Sequence, residues 1–373
     1  QQATLIHNAR ITTIHSFCLS VIRDHFPMIG LDPAFRIGEE GELKLLRHDV
    51  LDELLEEEYT EGRSQFLDFV SAYGTGKNDK KIEELILKVY EYSRSYPDAQ
   101  EWLHECVKGY ELENLDELEE SPYVDLLKMY VELYLEDARA RLYQGIEICR
   151  EDSGPYMYED ALEDDLRMVE RVLGAETYQG LSEYMGDISW MKLPPNRDKT
   201  VSSDKADQVK LIRDEVKELM KELNQQYFYA EPEIILKDIK GCQPMVRELT
   251  SLVEKFAERF EEKKRTKNMI DFSDMEQYAM KILTEKTEGG FCPTAAAEEY
   301  QEQFLEIMID EYQDSNLIQE TILTSVSRYS RGEYNIFMVG DVKQSIYRFR
   351  LSRPELFMEK YDTYSTEDSD TQR

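Results

Sequence analysis

Phe304–Gln319 reads FLEIMIDEYQDSNLIQ, and Asn335–Arg353 reads NIFMVGDVKQSIYRFRLSR. Each half is a short apolar run that ends on an acid, the pattern by which a buried parallel strand delivers a carboxylate to the edge of a sheet. The first run ends in Asp310-Glu311 and the second in Gly340-Asp341. In such a pair one carboxylate can hold a divalent cation through water while its neighbour orients an attacking water on a nucleoside triphosphate. Behind Asp341 stand Gln344 and then Tyr347-Arg348-Phe349-Arg350. That mixture of cations and rings suits phosphates and unstacked bases.

The whole chain of 373 residues can bury a substantial core and divide into two or more lobes. Lys plus Arg number 45 against 78 Asp plus Glu, a formal charge of −33, which argues against a protein that coats nucleic acid. The charge is unevenly spread: Asp98–Glu120 holds nine acids against one lysine, whereas Val342–Arg353 holds four basic residues and no acid. Any DNA contact is therefore expected to be local. The cysteines at 18, 106, 149, 242 and 292 are scattered, with no CxxC from which to assemble a zinc or iron–sulfur ligand set, so reduced thiols are expected. No apolar run approaches the roughly 20 residues that span a bilayer, and Gln1-Gln2-Ala3 has no signal-peptide character. The expectation is a soluble, cytoplasmic protein with no membrane partner.

Ala9–Ile14 is β-prone, and Thr13 can cap a helix that runs from Ile14 to about Phe26, with Ile14, Phe17, Cys18, Val21 and Ile22 on its apolar face. A capping hydroxyl beside exposed helix N–H groups can also meet a phosphate. From about Gly38 to Asn268 the pattern predicts charged amphipathic helices. Ile82, Leu85, Ile86, Val89 and Tyr90 form one stripe, Leu127, Tyr130, Val131, Tyr134, Leu135 and Ala138 another, and Leu211–Leu223 and Val246–Phe260 supply two more, all read as core. Leu193–Lys205 is the best candidate for a mobile loop. Gly74-Thr75-Gly76-Lys77 lacks the earlier glycine and following hydroxyl of a phosphate-binding loop, so it reads as a turn. Near Met269–Met275, Asp271 or Ser273 can cap a helix to Leu283 while Phe272 and Met275 pack inward, and Gly289–Pro293 ends it.

The motifs Ile309–Asn316 and Val339–Arg350 together resemble the Walker B motif (motif II) and motif III of the UvrD/RecB-like superfamily 1 helicases. Thr12–Cys18 resembles the TxHSF segment of the same family, and Met269–Met275 its DFxDL signature. The text from Tyr73-Gly74 through Tyr96-Pro97 to Trp102-Leu103, with Leu351-Ser352, looks like the AddA-type helicase–nuclease subunits. The resemblance implies an α/β fold: part of a RecA-like, parallel-sheet P-loop NTPase lobe carrying a large all-α inserted subdomain, mostly helical overall. Residues 1–38 and 268–373 would form the lobe and 39–267 the insertion.

The same resemblance implies roles. Asp310 would hold the magnesium ion, Glu311 activate water, Gln344 sense the γ-phosphate, and Gln313 contact the ATP. Thr13, His15, Ser16, Phe17, Tyr347, Arg348, Phe349 and Arg350 would meet DNA. For Tyr347 and Phe349 a core position is an open alternative, because alternate residues of that tail must point inward. Implied partners are single-stranded and duplex-end DNA and an AddB-like subunit, in an ATP-dependent 3′→5′ helicase with nuclease activity in double-strand break repair. No lysine loop precedes Thr12, and neither the later motor motifs nor a nuclease cluster follows Tyr364. The chain is therefore expected to be a piece of a longer parent, inactive alone. A free-standing UvrD/PcrA-like translocase, or an acidic helical scaffold docking a protein, remain as alternatives.

Overall fold

The computed structural model describes residues 10–74, 79–344 and 351–365. Tyr347, Arg348, Phe349 and Arg350, and most of the turn at Gly74-Thr75-Gly76-Lys77, lie outside the described residues. The chain runs α1 (Ile14–His25), β1 (Arg36–Ile37), α2 (Glu40–Glu61), α3 (Ser64–Tyr73), α4 (Lys80–Ser93), α5 (Ala99–Lys108), α6 (Leu115–Glu119), α7 (Pro122–Arg150), α8 (Glu159–Leu173), α9 (Tyr178–Gly186) and α10 (Ser203–Tyr227). It continues through α11 (Pro232–Thr266), β2 (Met269–Ile270), α12 (Phe272–Leu283), β3 (Thr284–Thr287), β4 (Gly290–Pro293), α13 (Ala295–Gln303), β5 (Ile307–Ile309), α14 (Leu317–Val326), β6 (Ile336–Met338) and α15 (Pro354–Thr363). Helix dominates, and the strands pair in twos: β1 with β2 and β5 with β6 in parallel, β3 with β4 antiparallel. Two compact units result, one from Gln1–Cys106 with Met245–Arg373 and one from Val107–Pro244.

The first unit holds two apolar clusters. In one, Phe17, Cys18, Val21 and Ile22 of α1 meet Met275, Ala279 and Ile282 of α12, Tyr300 of α13 and Ile318 and Ile322 of α14. Thr13 caps α1 as its sequence suggests, its hydroxyl accepting the Ser16 N–H at 3.3 Å, and a 3-10 turn over Phe26–Ile29 follows. No strand forms at residues 10–13, so the β-prone run there is only extended chain leading into the cap. The other cluster gathers Leu54, Phe66, Phe69, Ile82, Ile86, Phe256 and Phe260 from α2, α3, α4 and α11.

Between the clusters' helices sits a buried ion group. Asp271 caps α12 in a reciprocal box with Asp274, each side chain accepting the other's backbone N–H. Lys264 Nζ lies 2.9 Å from Asp271 Oδ2 and also touches Asp274, whose other oxygen takes Arg94 Nη2 at 3.0 Å. Burial would lower Lys264, but Asp274 and Asp271 carry it above the ordinary lysine value. Against its own burial, the Lys264 ammonium holds Asp271 at about 2. Ser273 does not cap; it faces Arg94. Phe272, expected inside, is 60% exposed, because the first residue of a helix behind an N-cap swings off the face that Met275 and Ala279 bury. Gly289–Pro293 does not end the helix: α12 already stops at Leu283, and Gly290–Pro293 is instead the return strand of the β3–β4 hairpin.

In the second unit Leu127, Val131, Leu135, Ala138 and Leu142 of α7 pack with Leu162 and Val169 of α8 and Val209 and Val216 of α10. Gly145 permits the close α7–α8 approach, since a Cβ there would stand 2.6 Å from Leu162 Cδ2. Two expected core residues lie outside: Tyr130 is 39% and Leu211 60% exposed, one helical step off the buried faces. The segment Leu193–Lys205 is irregular to Ser202 and then helical. It is anchored by Ser202 N–H to Ser153 O at 2.9 Å and by buried Arg213, which pairs with Asp165 and donates to Met191 O at 2.5 Å.

Candidate functional site

β5 and β6 lie side by side in the register Ile307↔Ile336, Met308↔Phe337, Ile309↔Met338. The ladder continues past the strands: Val339 N–H donates to Ile309 O at 2.9 Å and Tyr312 N–H to Val339 O at 2.9 Å. Asp310-Glu311 and Gly340-Asp341 therefore emerge at the same end, as two apolar runs of parallel sense require. These strands are not buried on both faces. Met308 is 72% and Phe337 62% exposed, because only one side of the pair is covered by the helices present.

At the strand ends one glutamine joins the motifs. Gln313 is buried; its Nε2 donates to Glu311 Oε2 at 2.6 Å and its Oε1 accepts Asp341 N–H at 2.9 Å. Asp341 Oδ2 in turn accepts Gln344 Nε2 at 3.1 Å, and Lys343 N–H reaches Asp341 Oδ1 at 3.1 Å, which together hold the Asp341 carboxyl below its ordinary range. Glu311, Gln313, Asp341 and Gln344 thus form one hydrogen-bonded line across both strands. Gly340 makes room for it: an added Cβ would lie 2.4 Å from Gln313 Oε1. Glu311 has φ 52° and ψ 39°, a left-handed conformation that costs an L-residue of order 1–3 kcal/mol and is held by the turn Tyr312–Asp314. The sequence marks Gln313 for the cofactor; its position as the bridge between strand ends, and that of Asp341 as the hub, are visible only in three dimensions.

The turn is locked from below. Tyr312 is fully buried, packs on Phe357 of α15, and its hydroxyl donates to Glu320, which also takes Lys360 Nζ at 2.7 Å. Burial, then the Glu320 charge, pushes the Tyr312 phenol far above the usual range. Arg353 N–H donates to Ser315 O at 2.8 Å, and its guanidinium lies over the Tyr96 ring. Asp310 is exposed, with Oδ1 accepting the Glu311 N–H at 3.0 Å. Thr13 and Ser16 are exposed and hydrogen-bonded to one another at 3.0 Å, and His15 is half-buried. Phe17 instead belongs to the core, edge-on to Tyr300 at 5.7 Å.

A family model described as the UvrD/REP helicase N-terminal domain matches residues 1–365. This chain belongs to that helicase family. Among curated proteins it is 45% identical over 373 residues to AddA, the ATP-dependent helicase/nuclease subunit, of Lachnoclostridium phytofermentans, covering 99% of this chain and 27% of that protein. It is 39% identical to the AddA of Geobacillus thermodenitrificans and 38% to that of Bacillus cereus, covering 98% of this chain and 30% of each relative. The chain thus spans less than a third of the relatives it matches. Among the described residues, no helix is long and apolar enough to cross a membrane.

Proposed function

We propose that this chain is the middle of the first motor lobe of an ATP-dependent 3′→5′ DNA helicase of the AddA helicase–nuclease type, acting in double-strand break repair with an AddB-like subunit. The observation that carries the reading is the hydrogen-bonded line from Glu311 through Gln313 and Asp341 to Gln344. A water-activating acid and a phosphate-sensing amide held at one strand edge would suit phosphoryl transfer, which needs such groups positioned together. Residues 39–267 are read as a helical insertion. In support, β1 and β2, which flank it, pair in parallel as Arg36↔Met269 and Ile37↔Ile270, so the chain leaves and re-enters at neighbouring strands. The exposed apolar face of Met308 and Phe337 supports a lobe whose remaining layers lie elsewhere in a longer polypeptide.

The donor set fits magnesium held with ATP. Magnesium keeps several waters and takes one or two carboxylates plus phosphate oxygens. Asp310 offers such a single exposed carboxylate, and among the described residues no cluster of three His, Cys, Asp or Glu forms a closed cage. When bound, the ion would neutralise charge developing on the γ-phosphate. Glu311, held toward Gln313, would orient the attacking water and accept its proton, while Gln344 would register the phosphate and pass its position to Asp341. Thr13, His15 and Ser16 would meet the single strand near the α1 N-terminus, together with Tyr347, Arg348, Phe349 and Arg350. In the intact parent, Glu311→Gln is expected to cut ATP turnover by about 100-fold or more while nucleotide binding persists. Unchanged turnover would overturn the assignment.

A further inference from the structure

Glu276 of α12 is a buried carboxylate that takes no part in the line from Glu311 to Gln344. Three side chains converge on it. Gln319 Nε2 donates to Oε1 at 2.6 Å, Asn316 Nδ2 to Oε2 at 3.2 Å, and His15 Nε2 lies 3.3 Å from Oε1. The two hydrogen-bond donors come from the start of α14, just beyond the turn that carries Glu311, and the third side chain, His15, comes from the first turn of α1. α12 packs between those two helices, so its carboxylate is the point where they meet.

The donors cannot easily turn away. Asn316 caps α14, its Oδ1 accepting the Gln319 N–H at 2.9 Å, so its Nδ2 must face an acceptor, and Glu276 is that acceptor. The exposed Phe272 ring stands edge-on to His15 at 5.6 Å and steadies the imidazole beside the carboxylate. A buried carboxylate with donors on both oxygens is satisfied only when all of them stay in place.

We propose that Glu276 is a positioning residue that couples the two ends of the site: His15 of the strand-contacting segment and the Asn316–Gln319 cap behind Glu311 are set by one carboxylate. Single-stranded DNA seated at Thr13–Ser16 then fixes the turn that presents Glu311, and turnover rises. The inference rests on the motor-lobe reading.

The test uses the intact parent polypeptide, ATP, and an oligo(dT) strand, comparing turnover with and without DNA. Glu276→Gln keeps the shape but places an NH2 group against a donor. It is expected to leave DNA-free turnover within about twofold while DNA stimulation falls by about tenfold, within the usual range of coupling between sites. The double variant Q319A/E276Q is expected to show no further loss of stimulation beyond E276Q, as befits two members of one contact. Stimulation of E276Q equal to wild type, or an equal fall in both turnover rates, would overturn the proposal; the second result is what a merely structural role predicts. If E276Q melts early, Gln319→Ala, which removes one donor and keeps the carboxylate, decides by the same ratio. A wild-type parent whose turnover ignores DNA would instead sink the motor-lobe reading, and this inference with it.

Discussion

Replacing Gly340 with alanine tests the join between the two strand ends. Gly340 does not sit at positive φ, so the effect is steric: the new Cβ would stand 2.4 Å from Gln313 Oε1, 3.2 Å from Gln313 N and 3.3 Å from Phe357 Cε2. The amide end of Gln313 is the softest of these neighbours and must leave. It then gives up the bonds to Glu311 and Asp341, each worth about 1 kcal/mol net, and its buried amide loses partners. A loss of roughly 2–3 kcal/mol follows, which corresponds to about 5–10 °C in the melting of a unit of this size. Calorimetry of the chain should show that fall for Gly340→Ala, and a smaller one for Gln313→Ala. The double variant should melt close to Gln313→Ala alone, because the clash has lost its target. Wild-type melting of Gly340→Ala, or losses that simply add in the double variant, would refute the bridge.

Two further outcomes follow from buried groups. Lys264→Met should cost about 3–5 kcal/mol in denaturant unfolding, since it leaves Asp271 and Asp274 in the interior with only Arg94 between them. The Asp271 carboxyl, held at about 2, gives stability that is complete above the unfolded value near 4 and is lost as pH falls through 2; Lys264→Met should flatten that acid limb. Among the cysteines, exposed Cys242 and Cys292 should react first with a maleimide under native conditions. Cys149, which burial pushes up to about 11, and Cys18, raised by burial and by Glu276, should wait for unfolding; early labelling of Cys18, read by mass spectrometry, would contradict the packing of α1 on α12.

Apolar spacing carries much of the architecture. The runs at Ile307–Ile309 and Ile336–Met338 announce paired strands with acids at their ends, and Thr13 announces the start of α1, because in each case the signal lies within a few residues. The rest depends on distant partners. Lys264 stands in the charged run EEKKRTKN yet is buried, since Asp271 and Asp274 return beside it after β2. The β3 strand TEKT is polar, so the hairpin at residues 284–293 shows only its turn glycines in the sequence. Hydrophobicity alone points Phe272 inward, whereas the cap geometry sends it outward. Within the site, Asp310, Glu311 and Gln344 can be named from the motifs. Glu276 cannot, because nothing in DFSDME separates a buried acid from a solvated one.

An amide has a sense of direction. Asp341 N–H can only donate, so Gln313 must turn its oxygen that way and present its NH2 to Glu311, which must answer with a bare oxygen. A proton arriving on that oxygen removes the acceptor and leaves two donors facing each other. The Gln313–Glu311 bond would then be lost, while the backbone bonds from Val339 to Ile309 and from Tyr312 to Val339 would still hold the two strand ends together. The side chain thus gives the join a polarity, with its donor end toward β5 and its acceptor end toward β6, that no symmetric side chain could supply.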